Sequence, residues 1–320
     1  MKTPSAKASG PVLQDQMHLT KGQKLLNHFK SYFWLYLFLI PTLIWYIVFC
    51  YAPMGGIVMA FKRYKGVGSF WDSKWIGFRS FKSFFNSYYF TTILRNTLVL
   101  SFYSLATFPL AIIFALMLNE VQNATFKKTV QTIMYAPHFI STVVIVTMLQ
   151  IFFTRSGLVN DLIAALGGER IDFLVDPDVF PHLYTWSTVW QNLGWNCIIY
   201  VAALSSVDPS LHEAATLDGA SRLQRIWHIN LPTILPTIII TLIMRVGSIM
   251  NTNTDKVLLM LNDLNADTAE VIGTFVYKRG LIKQDYGYAT AVGLFTNVVN
   301  LILLLTVNKI SEKVSETSLF

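Results

Sequence analysis

The 320-residue chain is short of charge. Asp, Glu, Lys and Arg make up 13% of it, where a soluble domain carries about 25%. So few charges exclude a water-facing surface of ordinary composition, and lipid must replace much of the water. Cysteine is nearly absent: Cys50 and Cys197 are the two, both inside apolar runs, with no CxxC. That excludes a disulfide framework and a thiol-based zinc site. The six histidines are scattered, His18 and His28 in the N-terminal tail and His138, His182, His212 and His228 singly, with no HExxH. No metal site is expected. No GxxxxGK[ST] occurs, so the backbone-and-lysine cradle for phosphates is missing. Asp161, Asp172, Asp176 and Asp178 fit no EF-hand spacing and read as a solvated loop. Neither a Ser/His/Asp arrangement, an internal repeat nor low-complexity sequence is seen. The inverted-repeat plan of many secondary transporters therefore gets no support.

Apolar residues are plentiful instead. They form 53% of the chain, aromatics form 14%, and the mean hydropathy is +0.47. A hydrocarbon core about 30 Å thick needs about 20 apolar residues per helix. Six runs meet or approach that length: residues 33–52, 93–118, 130–153, 182–204, 231–249 and 288–307. The expected fold is an all-α membrane protein of about six transmembrane helices. The fourth run carries Trp186, Trp190, Gln191, Asn192 and Asn196, and the fifth Pro232, Pro236 and Arg245. Both read as helices facing a polar cavity. The net charge of +7 lacks the basic face of a nucleic-acid binder and suits a protein fronting anionic lipid. Residues 1–30 are polar and lack a signal peptide's apolar core and cleavage site. They are expected to be a disordered tail before a retained first helix.

Six crossings put both termini on one side. Lys2, Lys7, Lys21, Lys24 and Lys30, with Lys127, Lys128, Lys309 and Lys313, favour the cytoplasm for that side. Lys62, Arg63, Lys65, Lys74, Arg79 and Lys82 of the first loop weigh against it. Counting alone leaves orientation tied. The first loop also holds Phe70, Trp71, Trp75, Phe78, Phe81, Phe84 and Phe85. An amphipathic segment in the membrane interface and an ordinary capped loop both fit that pattern.

The most informative stretch is residues 205–236, SSVDPSLHEAATLDGASRLQRIWHINLPTILP. Asp208-Pro209 is a helix start, an N-cap acid before a first-turn proline. A short helix follows, Gly219 permits a turn, and a second helical segment begins near Arg222. Pro232 and Pro236 bend the entry to the next membrane helix. Spacing alone leaves two readings open, a small-residue knob for a groove on another protein and a structured connector. Glu213-Ala214-Ala215, Asp218-Gly219-Ala220, then Ile229, Leu231 and Pro232 resemble the "EAA" loop of ABC importer permeases. Tyr51-Ala52-Pro53-Met54-Gly55-Gly56, Ala60-Phe61, Gly77-Phe78 and Arg95-Asn96-Thr97-Leu98 are similar to the sugar-permease branch. So are the segment from Tyr286 to Phe295 and the last six residues. Together they resemble the maltose-type, type I permeases, in the subgroup that imports oligosaccharides released from polysaccharides such as alginate.

The resemblance implies a type I ABC importer permease core over residues 31–320, with a coupling loop at 205–231 and both termini in the cytoplasm of a bacterial inner membrane. It implies that Glu213, Ala214, Ala215, Asp218, Gly219 and Ala220 dock on an ATPase. It implies a second, homologous permease as heterodimer partner, two ATPase subunits that hold the ATP and magnesium, and an extracytoplasmic binding protein. This chain would bind no cofactor itself and would not be an enzyme. Its partners would be an oligosaccharide and membrane lipid, not nucleic acid. Sugars are held by aromatic faces and polar hydrogen bonds. The residues expected along their path are Trp190, Gln191, Asn192, Asn196, Arg245, Asn251, Asn253, Asp255 and Lys256, with Trp186 and Trp195 nearby. Arg245 is the sharpest of them, because a charge inside a membrane helix costs a few kcal/mol. The alternatives are a permease for another small solute and an ion-driven secondary transporter.

Overall fold

The computed structural model describes residues 22, 28–315 and 317–320. Apart from residues 22 and 28–30, the tail expected to be disordered lies outside them. The described residues form helices and connecting segments, with one isolated bridge, Lys62 to Trp75, and no strand. The described residues divide into two units, one up to Val58 and one from Met59 onward.

From the first unit, α1 (Phe33–Trp45) continues through a π-helical turn, Tyr46–Tyr51, into a 3-10 segment, Ala52–Phe61, whose last three residues belong to the second unit. The 29 residues of Phe33–Phe61 are long and apolar enough to cross a membrane. No α1 residue is buried, as a helix sided by lipid permits, since all its backbone bonds are internal.

The second unit opens on the first loop. Arg63 N–H donates to the Lys74 carbonyl at 2.9 Å, and the Lys62 ammonium meets the Trp71 carbonyl. Helix α2 (Arg79–Phe85) then buries Phe84 among Phe90, Phe275, Tyr288 and Phe295. The loop is therefore folded, while Trp71, Trp75 and Phe78 remain exposed. Helices α3 (Tyr89–Ala106) and α4 (Phe108–Asn119) follow, separated at Thr107 where Pro109 enters the first turn of α4.

The run at residues 130–153 is not one helix, contrary to the expectation. It divides into α5 (Ala124–Tyr135), a 3-10 elbow at Ala136–Phe139, and α6 (Thr142–Phe153). Pro137 supplies no N–H to continue α5, and the Ser141 hydroxyl caps α6 by accepting the Val144 N–H. Beyond α6 comes α7 (Leu158–Ala165). Buried Asn160 bonds the Thr154 carbonyl and both backbone groups of Ile171 there, closing the third loop. Two of that loop's acids are paired rather than simply solvated, Asp172 with Arg155 at 3.0 Å and Asp161 with Arg170 at 2.7 Å.

Helix α8 (Phe180–Leu204) has 25 residues, a rise of about 37 Å. Among the described residues, five helical stretches satisfy both length and apolarity for crossing; α8 has the length but is more polar than those five. After it come α9 (Pro209–Leu217), α10 (Arg222–Arg225), a π turn at Ile226–Asn230, and α11 (Leu231–Val246). Short helices α12 (Thr254–Met260), α13 (Ala266–Ala269) and α14 (Ile272–Tyr277) lead to α15 (Tyr286–Ser315). Buried Asn96 of α3 donates to the carbonyls of Asp267 and Glu270, both at 2.9 Å, which fixes α13 against α3.

The core centres on α8. Ala111, Ile112, Ala115 and Leu118 of α4 pack with Cys197, Tyr200 and Leu204 of α8 and Ile234 of α11. Small residues at such contacts let helix backbones approach in a membrane. The closest approach is at Gly194, where a Cβ would lie 2.1 Å from the Met134 carbonyl oxygen and 2.9 Å from Tyr135 Cδ1. Three residues earlier on α8, the Gln191 amide donates to the Ile140 carbonyl at 3.1 Å. Gly194→Val should therefore lower the apparent melting temperature of the detergent-solubilised protein by several degrees, reflecting an overpacking cost of about 1–3 kcal/mol. Gly293→Ala, where nothing lies within 4 Å, should leave it unchanged or slightly raised. Equal melting of the two variants would contradict the close packing.

Candidate functional site

A cavity of ≈ 760 Å³ opens among α3, α8 and α11. Its α8 wall repeats at helical spacing: Tyr184 and Thr185, Thr188, Asn192, Trp195 and Asn196, then Ile199 and Tyr200. Positions three and four apart share one face of a helix, so one polar stripe of α8 faces inward. Ser101 and Ser104 of α3 and Thr241, Arg245 and Ser248 of α11 and its C-terminal turn complete the walls, and residues 251–253 close one end. Arg245 is the one Lys or Arg in the lining. The hydroxyls of Tyr200 and Thr241 bond at 2.8 Å, joining α8 to α11.

Of the nine residues expected along the path, the structure brings Asn192, Asn196, Arg245, Asn251 and Asn253 to this cavity. Several have internal duties. The Asn192 Nδ2 donates to the Thr188 carbonyl, the Asn253 Oδ1 caps α12, and the Asn251 Oδ1 accepts from Asn300. Trp190, Gln191, Asp255 and Lys256 do not line it. Trp190 and Gln191 sit off the inward stripe, and Gln191 is spent on Ile140. Asp255 is exposed on the first turn of α12. Lys256 is buried just behind the wall; its Nζ donates to the lining hydroxyl of Thr188 at 2.8 Å and lies 5.4 Å from the Tyr184 ring centroid. Sequence reasoning missed Tyr184, Thr185, Thr188, Ser101, Ser104, Thr241 and Ser248. For the α8 residues, extending the helical spacing backward from Asn192 finds them.

The loop of residues 205–231 is stiffened at each turn. The Asp208 carboxylate accepts the Ser210 N–H at 2.9 Å. That amide, with the Ser210 hydroxyl, holds the carboxyl below its ordinary range. Helix α9 ends in a Schellman motif: Ala220 N–H reaches the Ala215 carbonyl at 2.9 Å and Gly219 N–H the Thr216 carbonyl at 3.1 Å. Gly219 has φ +79°, the left-handed conformation that glycine adopts without strain. Ser221 and Gln224 form a capping box at the start of α10. Arg225 ties the two helices by donating to the Thr216 hydroxyl at 2.7 Å. Glu213, Ala214, Leu217, Asp218 and Gly219 are exposed, as are Leu211, Leu223 and Trp227. The loop thus offers an apolar surface that the described residues leave uncovered.

Residues 107–316, which hold most of the cavity and all of this loop, match the family model described as binding-protein-dependent transport system inner membrane component. The chain belongs to this family. It is an inner-membrane, multi-pass permease component of an ABC importer. The ion-driven alternative falls with that membership. The permease is 43% identical to Protein LplB of Bacillus subtilis (strain 168), with each chain covered over its whole length. It is 41% identical to the polygalacturonan/rhamnogalacturonan transport system permease protein YteP of the same organism, covering 94% of both. Among solved structures it is similar to a chain of a bacterial ABC transporter involved in the import of the acidic polysaccharide alginate. The TM-score there is 0.85 and the identity 39%, covering 91% of the permease and 99% of that chain. A second structure of the alginate transporter, in complex with an alginate pentasaccharide-bound periplasmic protein, matches at the same TM-score over 92% of the permease. The all-α, type I permease fold expected from the resemblance is the fold observed.

Lys256 lies outside the apolar spans, and burial pushes its ammonium from the ordinary 10.5 down to about 8. The folded chain therefore binds fewer protons at this site than the unfolded chain between those two values, and stability rises with pH across that window. The apparent melting temperature should climb from pH 8 to pH 10 more in the unaltered protein than in Lys256→Met. Parallel curves for the two would contradict the burial of a charged lysine.

Proposed function

We propose that this permease passes acidic oligosaccharides through the cavity among α3, α8 and α11, driven by ATP hydrolysed on separate subunits. The observation that carries the reading is Arg245, the one cationic side chain facing an otherwise neutral polar cavity. A guanidinium pairs with a carboxylate in two parallel hydrogen bonds, and desolvation within the membrane strengthens that pairing. Lys256, behind the same wall, adds positive potential without touching the passage. The relatives point the same way, since the names of two of them speak of polygalacturonan and of the acidic polysaccharide alginate.

In this reading a binding protein delivers the sugar from outside, and a second, homologous permease supplies the facing wall as heterodimer partner. Two ATPase subunits bind ATP and magnesium below; this chain binds no cofactor and catalyses no reaction. Both termini and residues 205–231 lie in the cytoplasm. Residues 31–320 form the permease domain and residues 1–30 its cytoplasmic tail. The exposed side of α9, from Glu213 through Ala220, docks in a cleft of the ATPase. Closure of the ATPase pair then moves α9 and alternates access to the cavity.

The complete transporter, reconstituted in liposomes with its binding protein, tests the reading. ATPase activity should rise only with loaded binding protein. Uptake of a hexuronate tetrasaccharide should exceed that of a neutral tetrasaccharide, each delivered loaded. Arg245→Gln should lower uronate uptake about tenfold, the scale of one lost hydrogen-bonded charge pair, and leave neutral uptake within about twofold. An unchanged preference in that variant would contradict the assignment to acidic sugars.

A further inference from the structure

The first loop is basic where a membrane protein is usually not. Residues 62–88 hold six cations and one acid, Asp72. In the six-crossing plan, the stretches Tyr89–Asn119 and Thr142–Ala165 and helix α8 separate them from residues 205–231. An odd number of crossings puts the two on opposite membrane faces. With residues 205–231 in the cytoplasm, the basic loop is extracytoplasmic, where Lys and Arg are normally scarce. Internal pairing accounts for little of this charge. The Lys62 ammonium is spent on the Trp71 carbonyl. Among the described residues, the ion pairs join Arg155 to Asp172, Arg170 to Asp161 and Lys278 to Glu270. Arg63, Lys65, Lys74, Arg79 and Lys82 are exposed and belong to none of them.

The loop is also built onto the ends of apolar stretches. Phe33–Phe61 ends where it begins, and Tyr89–Asn119 starts where it finishes. Phe61 stacks on Trp75 with ring centroids 5.7 Å apart, and packs on Phe78 and Phe81 at 5.4 and 5.7 Å. The start of a third stretch, Tyr286–Ser315, joins them. There the Gly287 N–H donates to the Tyr64 carbonyl at 3.1 Å, and a Cβ on Gly287 would lie 2.3 Å from the Lys62 carbonyl oxygen. Three apolar stretches thus end against one folded surface, which pins that surface at the boundary between hydrocarbon and water. Its outward side mixes rings with cations. Trp71 is 59% exposed, Trp75 61% and Phe78 66%. On α2 the buried residues are Ser80 and Phe84, one turn apart, so Arg79 and Lys82 share the opposite face with Phe78. Arg63 and Lys74 are neighbours through the bond between their backbones.

We propose that this face binds anionic phospholipid, its exposed rings at headgroup depth and Arg63, Lys74, Arg79 and Lys82 on lipid phosphates. Tryptophan settles at the membrane interface, which brings the cations beside it level with phosphate, and charge-assisted hydrogen bonds form there. A zwitterionic headgroup also has a phosphate, but its own cation is repelled by a basic cluster. The surface therefore selects lipid of net negative charge. An acidic protein would satisfy the cations as well, yet the rings stand at the ends of apolar stretches, where acyl chains reach them first. The inference does not involve the sugar, since a permease for another solute would carry the same face. Orientation decides only which leaflet supplies the lipid.

The test is photocrosslinking of the complete transporter, with its binding protein, in liposomes of about four parts phosphatidylcholine to one part phosphatidylglycerol. Phe78→benzoylphenylalanine places the reactive group within the face. Phe38→benzoylphenylalanine, on exposed α1, reports the bulk lipid. Lipid crosslinked at position 78 should be enriched in phosphatidylglycerol about fivefold over position 38, the scale of one cation's contact with an anionic surface. Arg63→Gln/Lys74→Gln/Arg79→Gln/Lys82→Gln alters exposed side chains alone. In it the two positions should give the same ratio, while position 78 still reaches lipid. Equal ratios without those four substitutions, or enrichment that survives them, would overturn the anionic selectivity. A position 78 that crosslinks to the binding protein or another subunit in place of lipid, or to nothing while position 38 reaches lipid, would overturn the lipid surface itself. No uptake is measured, so failure here is distinct from failure of the acidic-sugar reading.

Discussion

A helix that breaks within an apolar run frees backbone groups that lipid cannot satisfy. The elbow between α5 and α6 is such a break, and α8 supplies what it lacks. Gln191 fills the Ile140 carbonyl, and the missing side chain at Gly194 lets the Met134 carbonyl close to where any Cβ would collide. This one contact sets the rotation of α8 about its own axis. With Gln191 and Gly194 turned toward the elbow, the residues a third of a turn away must look elsewhere. They are the polar stripe that makes the cavity wall. The elbow and the cavity are therefore two faces of one packing decision.

That wall is linked to residues 205–231 by the shortest route the chain allows. Leu204 ends α8, Asp208 caps α9 four residues later, and α10 runs through the π turn into α11. Both helices that carry most of the cavity, α8 with Trp195 and α11 with Arg245, thus meet in residues 205–231. An N-cap, a Schellman motif, a capping box and the Arg225–Thr216 bond stiffen the segment throughout. A stiff link transmits displacement where a slack one absorbs it. In the proposed cycle the small residues of α9 serve contact with the ATPase, while the caps serve transmission.

Much of this was legible in the residues. Apolar run length located the membrane helices, and the EAA-like pattern located the stiff loop. The proline-glycine punctuation of that loop matches the cap at Asp208 and the turn at Gly219. Arg245 stood out because a charge in an apolar run is costly. What run length could not register was Pro137: averaged over a window, residues 130–153 stay apolar although the helix breaks in their middle. The path residues fared unevenly for a related reason. Asn192 and Asn196 obey the α8 stripe, but Trp190 and Gln191 were included by polarity or aromaticity and not by phase. Lys256 is charged and close, yet it sits one layer behind the wall, and layer depth leaves no mark in a linear sequence. His138 looked isolated because its partners, Asn192 and Trp195, are more than fifty residues away.

The measurement that bears most directly on the link between loop and cavity is the number of sugars moved per ATP hydrolysed in the reconstituted transporter carrying Gly219→Val. A Cβ at position 219 would meet nothing of this chain within 4 Å, but a β-branched residue is strained at φ +79° and the Schellman turn must open. Gly219→Asn, which tolerates that conformation, is the control. A rigid coupling loop predicts that Gly219→Val hydrolyses ATP while uptake per ATP falls about tenfold or more, with Gly219→Asn near the unaltered ratio. An unchanged ratio in Gly219→Val would contradict it.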